Sequence, residues 1–167
     1  STSNAWNRLL TRLKPEDWVD RLDKLRASER GPANQTSERR ALYGLMPASI
    51  SHEGYSAKPM HAYWDDFWAL KGYDDAVDLA KALGKDEAAS SIARARDVFR
   101  GDIKASIDSA VSQHRIDYLP GAAELGDFDA TSTTIALSPG DGQTWLPPAL
   151  VSNTFERYWK TFLDRRD

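Results

Sequence analysis

One ten-residue stretch constrains this chain more than any other. His61-Ala62-Tyr63-Trp64-Asp65-Asp66-Phe67-Trp68-Ala69-Leu70 starts just after Pro59 and holds four aromatic rings. Tyr63, Phe67 and Leu70 recur at i, i+4 and i+7, and Trp64 and Trp68 add a second apolar row. The stretch is therefore expected to be a helix, apolar over much of its circumference and buried to match. Two adjacent carboxylates, Asp65 and Asp66, sit inside that aromatic wall. A buried carboxylate is expensive unless it is paired or used. Whatever packs round this helix has to provide for both acids.

The rest of the chain reads as helix after helix. Residues 6–13 form a short apolar-periodic piece. Pro15-Glu16-Asp17 opens the next helix, with proline in the first turn, acids at the positive end of the dipole, and Trp18, Leu22 and Leu25 as its stripe. Residues 31–34 break it. Thr36 or Ser37 caps a short helix with Leu42 and Leu45 facing inward. Residues 47–60 lack a sustained apolar period and carry Pro47, Gly54 and Pro59, so they are a loop. Gly72 ends the aromatic helix, Asp74 and Asp75 open another, and Gly84 closes that one. Asp86 then caps the longest pattern, with Ala88, Ile92, Ala95, Phe99, Ile103, Ile107 and Val111 on one face. Gly101 inside it costs about 1 kcal/mol relative to alanine and marks a close helix contact or a bend. Residues 116–119 suit a short strand. Residues 130–137 suit a strand by their branched side chains and a helix by the Asp129 cap; the helical neighbours favour helix. Residues 151–163 form the last helix, with Phe155, Tyr158, Trp159 and Phe162 on one side.

This succession predicts an all-α chain of antiparallel α-hairpins. Three long loops, residues 47–60, 120–129 and 138–148, each adjoin an aromatic or acidic cluster, and long loops in a compact helical domain are usually functional. Consecutive antiparallel helices are expected to bring them to one end. The length suits one domain or a piece of a larger one. Residues 1–5 read as an expression-tag remnant, leaving residues 6–167 as a single helical domain or partial array. A net charge of -3 argues against nucleic acid as a general partner, and no apolar run approaches the roughly 20 residues needed to span a bilayer. No cysteine is present, so thiolate metal sites and disulfides are excluded. Six Trp and six Tyr supply either core or the flat faces that stack on sugars.

Three segments together carry a resemblance. Leu45-Met46-Pro47-Ala48-Ser49-Ile50-Ser51-His52-Glu53-Gly54-Tyr55, then His61-Ala62-Tyr63-Trp64-Asp65-Asp66-Phe67-Trp68, then Gly126-Asp127-Phe128-Asp129-Ala130-Thr131-Ser132, look like bacterial six-hairpin glycosidases. Those are (α/α)6 toroids related in fold to glucoamylases and α-L-rhamnosidases. The resemblance covers most of residues 15–163, with Tyr-Trp-Asp-Asp-Phe-Trp its most specific part. It implies a glycoside hydrolase acting on carbohydrate. A full toroid needs about twelve helices, so this chain is expected to supply part of one, completed by the rest of a parent chain or by a second copy in a two-fold dimer. The compartment stays open, with a secreted or periplasmic parent compatible.

The chemistry follows from residue types. Glycoside hydrolysis uses one protonated and one ionised carboxyl flanking the scissile bond. Candidates are Glu53, Asp65, Asp66, Glu124, Asp127 and Asp129. Asp65 and Asp66 project about 100° apart on a helix, so they are not the pair themselves. Asp66, among Ala62, Tyr63 and Leu70, is expected to have a raised pKa and serve as the acid. Glu124 on its loop is the expected partner, with Asp65 in reserve. His52, Glu53, Tyr63, Trp64, Trp68, Asp127 and Trp145 are the substrate-binding candidates. Asp127 and Asp129 also fit plain turn and N-cap roles. Nothing in the spacing of the three His suggests a metal, and no phosphate loop, nucleophile elbow or other cofactor motif is present, so no cofactor is expected. The alternatives are a non-catalytic helical carbohydrate-binding or interaction module and a purely structural half-toroid.

Overall fold

A computed structural model of the chain describes residues 10, 12–51, 55 and 57–165. Among these residues the protein is all-α, as the periodicity requires, with short 3-10 turns between helices and no strand. Most of the expected helix at residues 6–13 falls outside the described residues, as do His52 and Glu53.

Helix α1, Pro15–Ala27, has Pro15 in its first turn, Glu16 and Asp17 at its positive end, and Lys24 and Arg26 at its negative end. Its buried side is not the expected one. Val19 and Arg26 are buried, while Trp18 and Leu25 are each 49% exposed. The helix is rotated about one step, and the partners of Arg26 account for this. Its guanidinium donates to the Gly44 carbonyl at 2.9 Å, to Asp23 at 2.9 Å and to Asp102 at 2.6 Å, and lies 3.8 Å from the centre of the Phe99 ring. Exposing that side would strand a set of charge-assisted bonds. Past α1 the expected short α-helix is absent. Three 3-10 turns, Ser28–Arg30, Pro32–Gln35 and Arg40–Leu42, take its place, and Leu42 and Leu45 are buried as expected.

Helix α2, Tyr63–Ala82, runs straight through Gly72, where a break was expected. Phe67, Leu70, Tyr73, Ala76, Val77 and Ala80 stay in phase across the glycine and are all buried. Burying one large apolar side chain contributes roughly 1.5–3 kcal/mol, more than the roughly 1 kcal/mol a helical glycine costs. The real stop is Gly84, at φ +68°, in the left-handed region. After that tight turn, α3, Asp86–His114, packs back along α2 as an antiparallel hairpin. Ile92, Phe99, Ile103 and Ile107 line the joint core as the pattern predicts. Gly101 is exposed, with no atom within 4 Å of where a Cβ would lie, so it marks no helix contact.

Helix α4, Ala130–Leu137, settles the ambiguous segment as helix. The Asp129 carboxylate accepts the Thr131 N–H at 3.0 Å and the Ser132 hydroxyl at 2.7 Å, the N-cap arrangement. It packs on α2. Helix α5, Pro148–Asp164, closes the chain. Residues 116–119 form no strand; the only pairings of that kind among the described residues are isolated bridges, Ser49 with Met60 and Ala62 with Ala122.

Candidate functional site

The two adjacent acids of α2 hold one loop at two points. Asp66 Oδ1 accepts the Met46 N–H at 2.8 Å, and Asp65 Oδ2 accepts the Ser49 hydroxyl at 2.6 Å. The divergence of neighbouring side chains on a helix makes this possible: Asp66 points inward and Asp65 toward the rim. Ser49 is further tied to Met60 by a pair of 3.0 Å backbone bonds. Between the loop so fixed and the α1–α2 surface lies an open groove of about 580 Å³. Leu25, Pro47, Ser49, Trp64, Asp65 and Trp68 are among its lining residues. The two indoles meet edge-on at 6.1 Å, and Trp68 is 43% exposed. The groove thus combines broad aromatic surface with a carboxylate and a hydroxyl.

Asp66 itself is wholly buried. Burial pushes its pKa up to about 8, the Asp65 charge adds to that, and the Met46 N–H, His61 and Arg26 offset part of it. Its Oδ2 has no hydrogen-bond partner among the described residues. The carboxyl is therefore held protonated at neutral pH, as its apolar setting in the sequence implies, but it sits in the protein interior and not on the groove.

Glu124 meets His61, which is not among the site candidates drawn from the sequence. His61 Nδ1 lies 2.6 Å from Glu124 Oε1, and the His61 backbone N–H points at the same carboxylate at 3.1 Å. On the other side His61 Nε2 lies 3.4 Å from Glu29 Oε2. Burial alone would lower the His61 pKa, but the bond and charge of Glu124, joined by Glu29, outweigh it and raise it. Burial likewise works to raise Glu124, and His61 overcomes this and lowers it. The outcome is a Glu124 carboxyl at the rim of the fold whose ionised form His61 favours, with the buried His61 ring between two carboxylates. In the sequence His61 stands only at the head of the aromatic stretch; its partners Glu29 and Glu124 are distant in the chain, and no local spacing signals them.

The loop holding Glu124 is fixed by a second acid. Tyr55 donates its hydroxyl to Asp127 Oδ2 at 2.7 Å, and Asp127 Oδ1 accepts the Ala122 N–H at 3.0 Å. Gly121 lies where these groups converge: a Cβ there would come within 2.5 Å of Asp129 Cβ and nearer still to the Tyr55 hydroxyl, so only glycine fits. Asp127 thus organises its turn.

The remaining candidates fall away from the groove. Tyr63 is fully buried, its hydroxyl bonded to Ser106 Oγ at 2.7 Å, which makes it a core residue. Trp145 packs against Phe67 at 6.2 Å and under Arg100, as a margin of the core and not a free platform. The structure therefore brings Trp64, Trp68 and Asp65 together on the groove. It joins residues 55–62 to the loop of residues 120–129 through Tyr55–Asp127, His61–Glu124 and the Ala62–Ala122 bridge. Among the described residues no group of three or more His, Cys, Asp or Glu is placed to hold a metal ion. No family model, no curated protein and no solved structure matches the chain.

Proposed function

We propose that this chain handles carbohydrate, as a segment of a glycoside-hydrolase-type helical protein with a partial (α/α)6 array. The observation that carries the reading is the groove, where Trp64 and Trp68 offer aromatic surface beside Asp65 and Ser49. Apolar sugar faces stack on indole, and a carboxylate with a hydroxyl fixes sugar hydroxyls by directional hydrogen bonds. Asp66, lacking any surface of its own, positions the Met46 end of the groove wall in this reading. Titrating the chain with a panel of gluco- and galacto-oligosaccharides, followed by tryptophan fluorescence, tests it. Trp68→Ala is expected to weaken binding about tenfold or more. Wild-type protein that binds none of the panel would sink the proposal.

A hydrolytic second reading rests on one further observation. Glu124 is ionised, reaches the surface and is oriented by His61, the attributes of a general base or nucleophile. Asp65 is the carboxyl nearest a sugar bound in the groove, and Glu124 lies outside the groove lining. Loss of reducing-sugar release in Glu124→Gln, with groove binding retained, distinguishes this from binding alone.

A further inference from the structure

The groove on α1 and α2 holds a negative charge that the protein does not neutralise. Asp65 is half-buried in the lining, and its Oδ2 accepts the 2.6 Å bond from the Ser49 hydroxyl. Among the described residues Asp65 makes no ion pair. Asp74 and Asp102, also partly buried, each face two arginines. No Lys, Arg or His is among the described residues that line the groove, and apart from Ser49 the remaining walls are apolar, Leu22, Leu25 and Pro47 among them. A carboxylate drawn out of water into such a setting favours a ligand that brings the opposite charge. The place for that charge is set by the helix. Asp65 and Trp68 are three residues apart on α2 and so are surface neighbours. The Trp68 indole is 43% exposed and stands at 68° to that of Trp64. A cation lying over an indole face and beside a carboxylate is attracted by both.

We infer that the groove selects sugars carrying a free ammonium group, the deacetylated amino sugars, over neutral and acidic ones; this rests on the carbohydrate reading above. The apolar face of the sugar ring stacks on Trp68, and the ammonium donates to Asp65 Oδ1, the oxygen that Ser49 does not use. An N-acetylated sugar has no charge to offer at that point. An acidic sugar sets a second negative charge beside Asp65, with no cation in the lining to offset it, and is rejected by that repulsion. Because the groove is open to water, the attraction is partly screened, and a pair about 4 Å apart is worth roughly tenfold in affinity.

Tryptophan-fluorescence titration of the whole chain with oligomers of glucose, glucosamine and N-acetylglucosamine of equal length tests it, at about pH 6, where a primary ammonium keeps its proton. The glucosamine oligomer is expected to bind about tenfold more tightly than the other two, and added salt to erode that preference while leaving the neutral affinities in place. Asp65→Asn keeps an acceptor for the Ser49 hydroxyl and loses the charge. It is expected to reduce the preference to about twofold or less. If helical circular dichroism shows Asp65→Asn to be misfolded, the salt series on wild type decides. Equal binding of the neutral and amino oligomers, a preference indifferent to salt, or a preference that survives in folded Asp65→Asn overturns the inference and leaves the carbohydrate reading standing. Binding of none of the three overturns both.

Discussion

Replacing Asp66 by Asn tests whether the buried carboxyl carries a proton in the folded chain. Asp66 is wholly buried, and burial first, then the Asp65 charge, raises its pKa from the ordinary 3.8 to about 8. Unfolded, the same group ionises near its ordinary value. Between those two values the folded state keeps a proton that the unfolded state has released, so stability falls as pH rises through the window. The loss is about 1.4 kcal/mol per pH unit, hence roughly 2–3 kcal/mol from Asp66 alone between pH 5 and 7. His61 works in the same direction: its raised pKa contributes stability below its unfolded value, lost as pH climbs through the folded one. Glu124 works oppositely, since its lowered pKa contributes stability above its unfolded value, lost as pH falls through the folded one. Asn keeps the acceptor for the Met46 N–H and cannot ionise. Urea unfolding at several pH values should therefore show wild type losing stability from about pH 5 to 8, and Asp66→Asn losing only the His61 share. At the alkaline end the variant should be the more stable of the two. Equal pH slopes in the two proteins would refute a protonated Asp66.

Two further expectations concern the frame round the site. Arg26→Met should cost about 3 kcal/mol in chemical denaturation, because it removes the shared partner of Asp23, Asp102 and the Gly44 carbonyl from a buried position; a loss below about 1 kcal/mol would show the network to be idle. Gly72→Ala, in the interior of α2 with nothing within 4 Å of the added carbon, should raise stability by about 1 kcal/mol. A fall instead would mean that α2 needs a bend at that point.

The sequence shows the fold wherever a long stripe keeps its period. The face of α3 from Ile92 to Ile107 is readable residue by residue, and Asp129 is legible as a cap because capping is local. Legibility fails where a distant partner decides. Gly72 reads as a stop, yet the apolar residues on both sides of it belong to one buried face. Trp18 and Leu25 read as the inward stripe of α1, yet Arg26 takes the inside because Gly44 and Asp102 await it there. The candidate site divides along the same line. Trp64, Trp68 and Asp65 are visible as an aromatic and acidic cluster on one helix, whereas Glu29, His61 and Glu124 are joined only by folding.

The paired acids of α2 show how one local motif serves both core and surface. Neighbouring residues on a helix diverge by about 100°, so the two carboxylates leave α2 in different directions. The aromatic rows fix the rotation, with Tyr63, Phe67 and Leu70 inside, and this sends Asp66 inward and Asp65 to the rim. Each then finds a partner in the same loop, Met46 for the inner acid and Ser49 for the outer. The inner acid tolerates burial by keeping its proton, and the outer one offers its oxygens to the groove. A loop held at both ends in this way needs no regular secondary structure to stay in place. That is why residues 46–49, which include a proline and join no helix, can form the wall of a groove opposite two tryptophans.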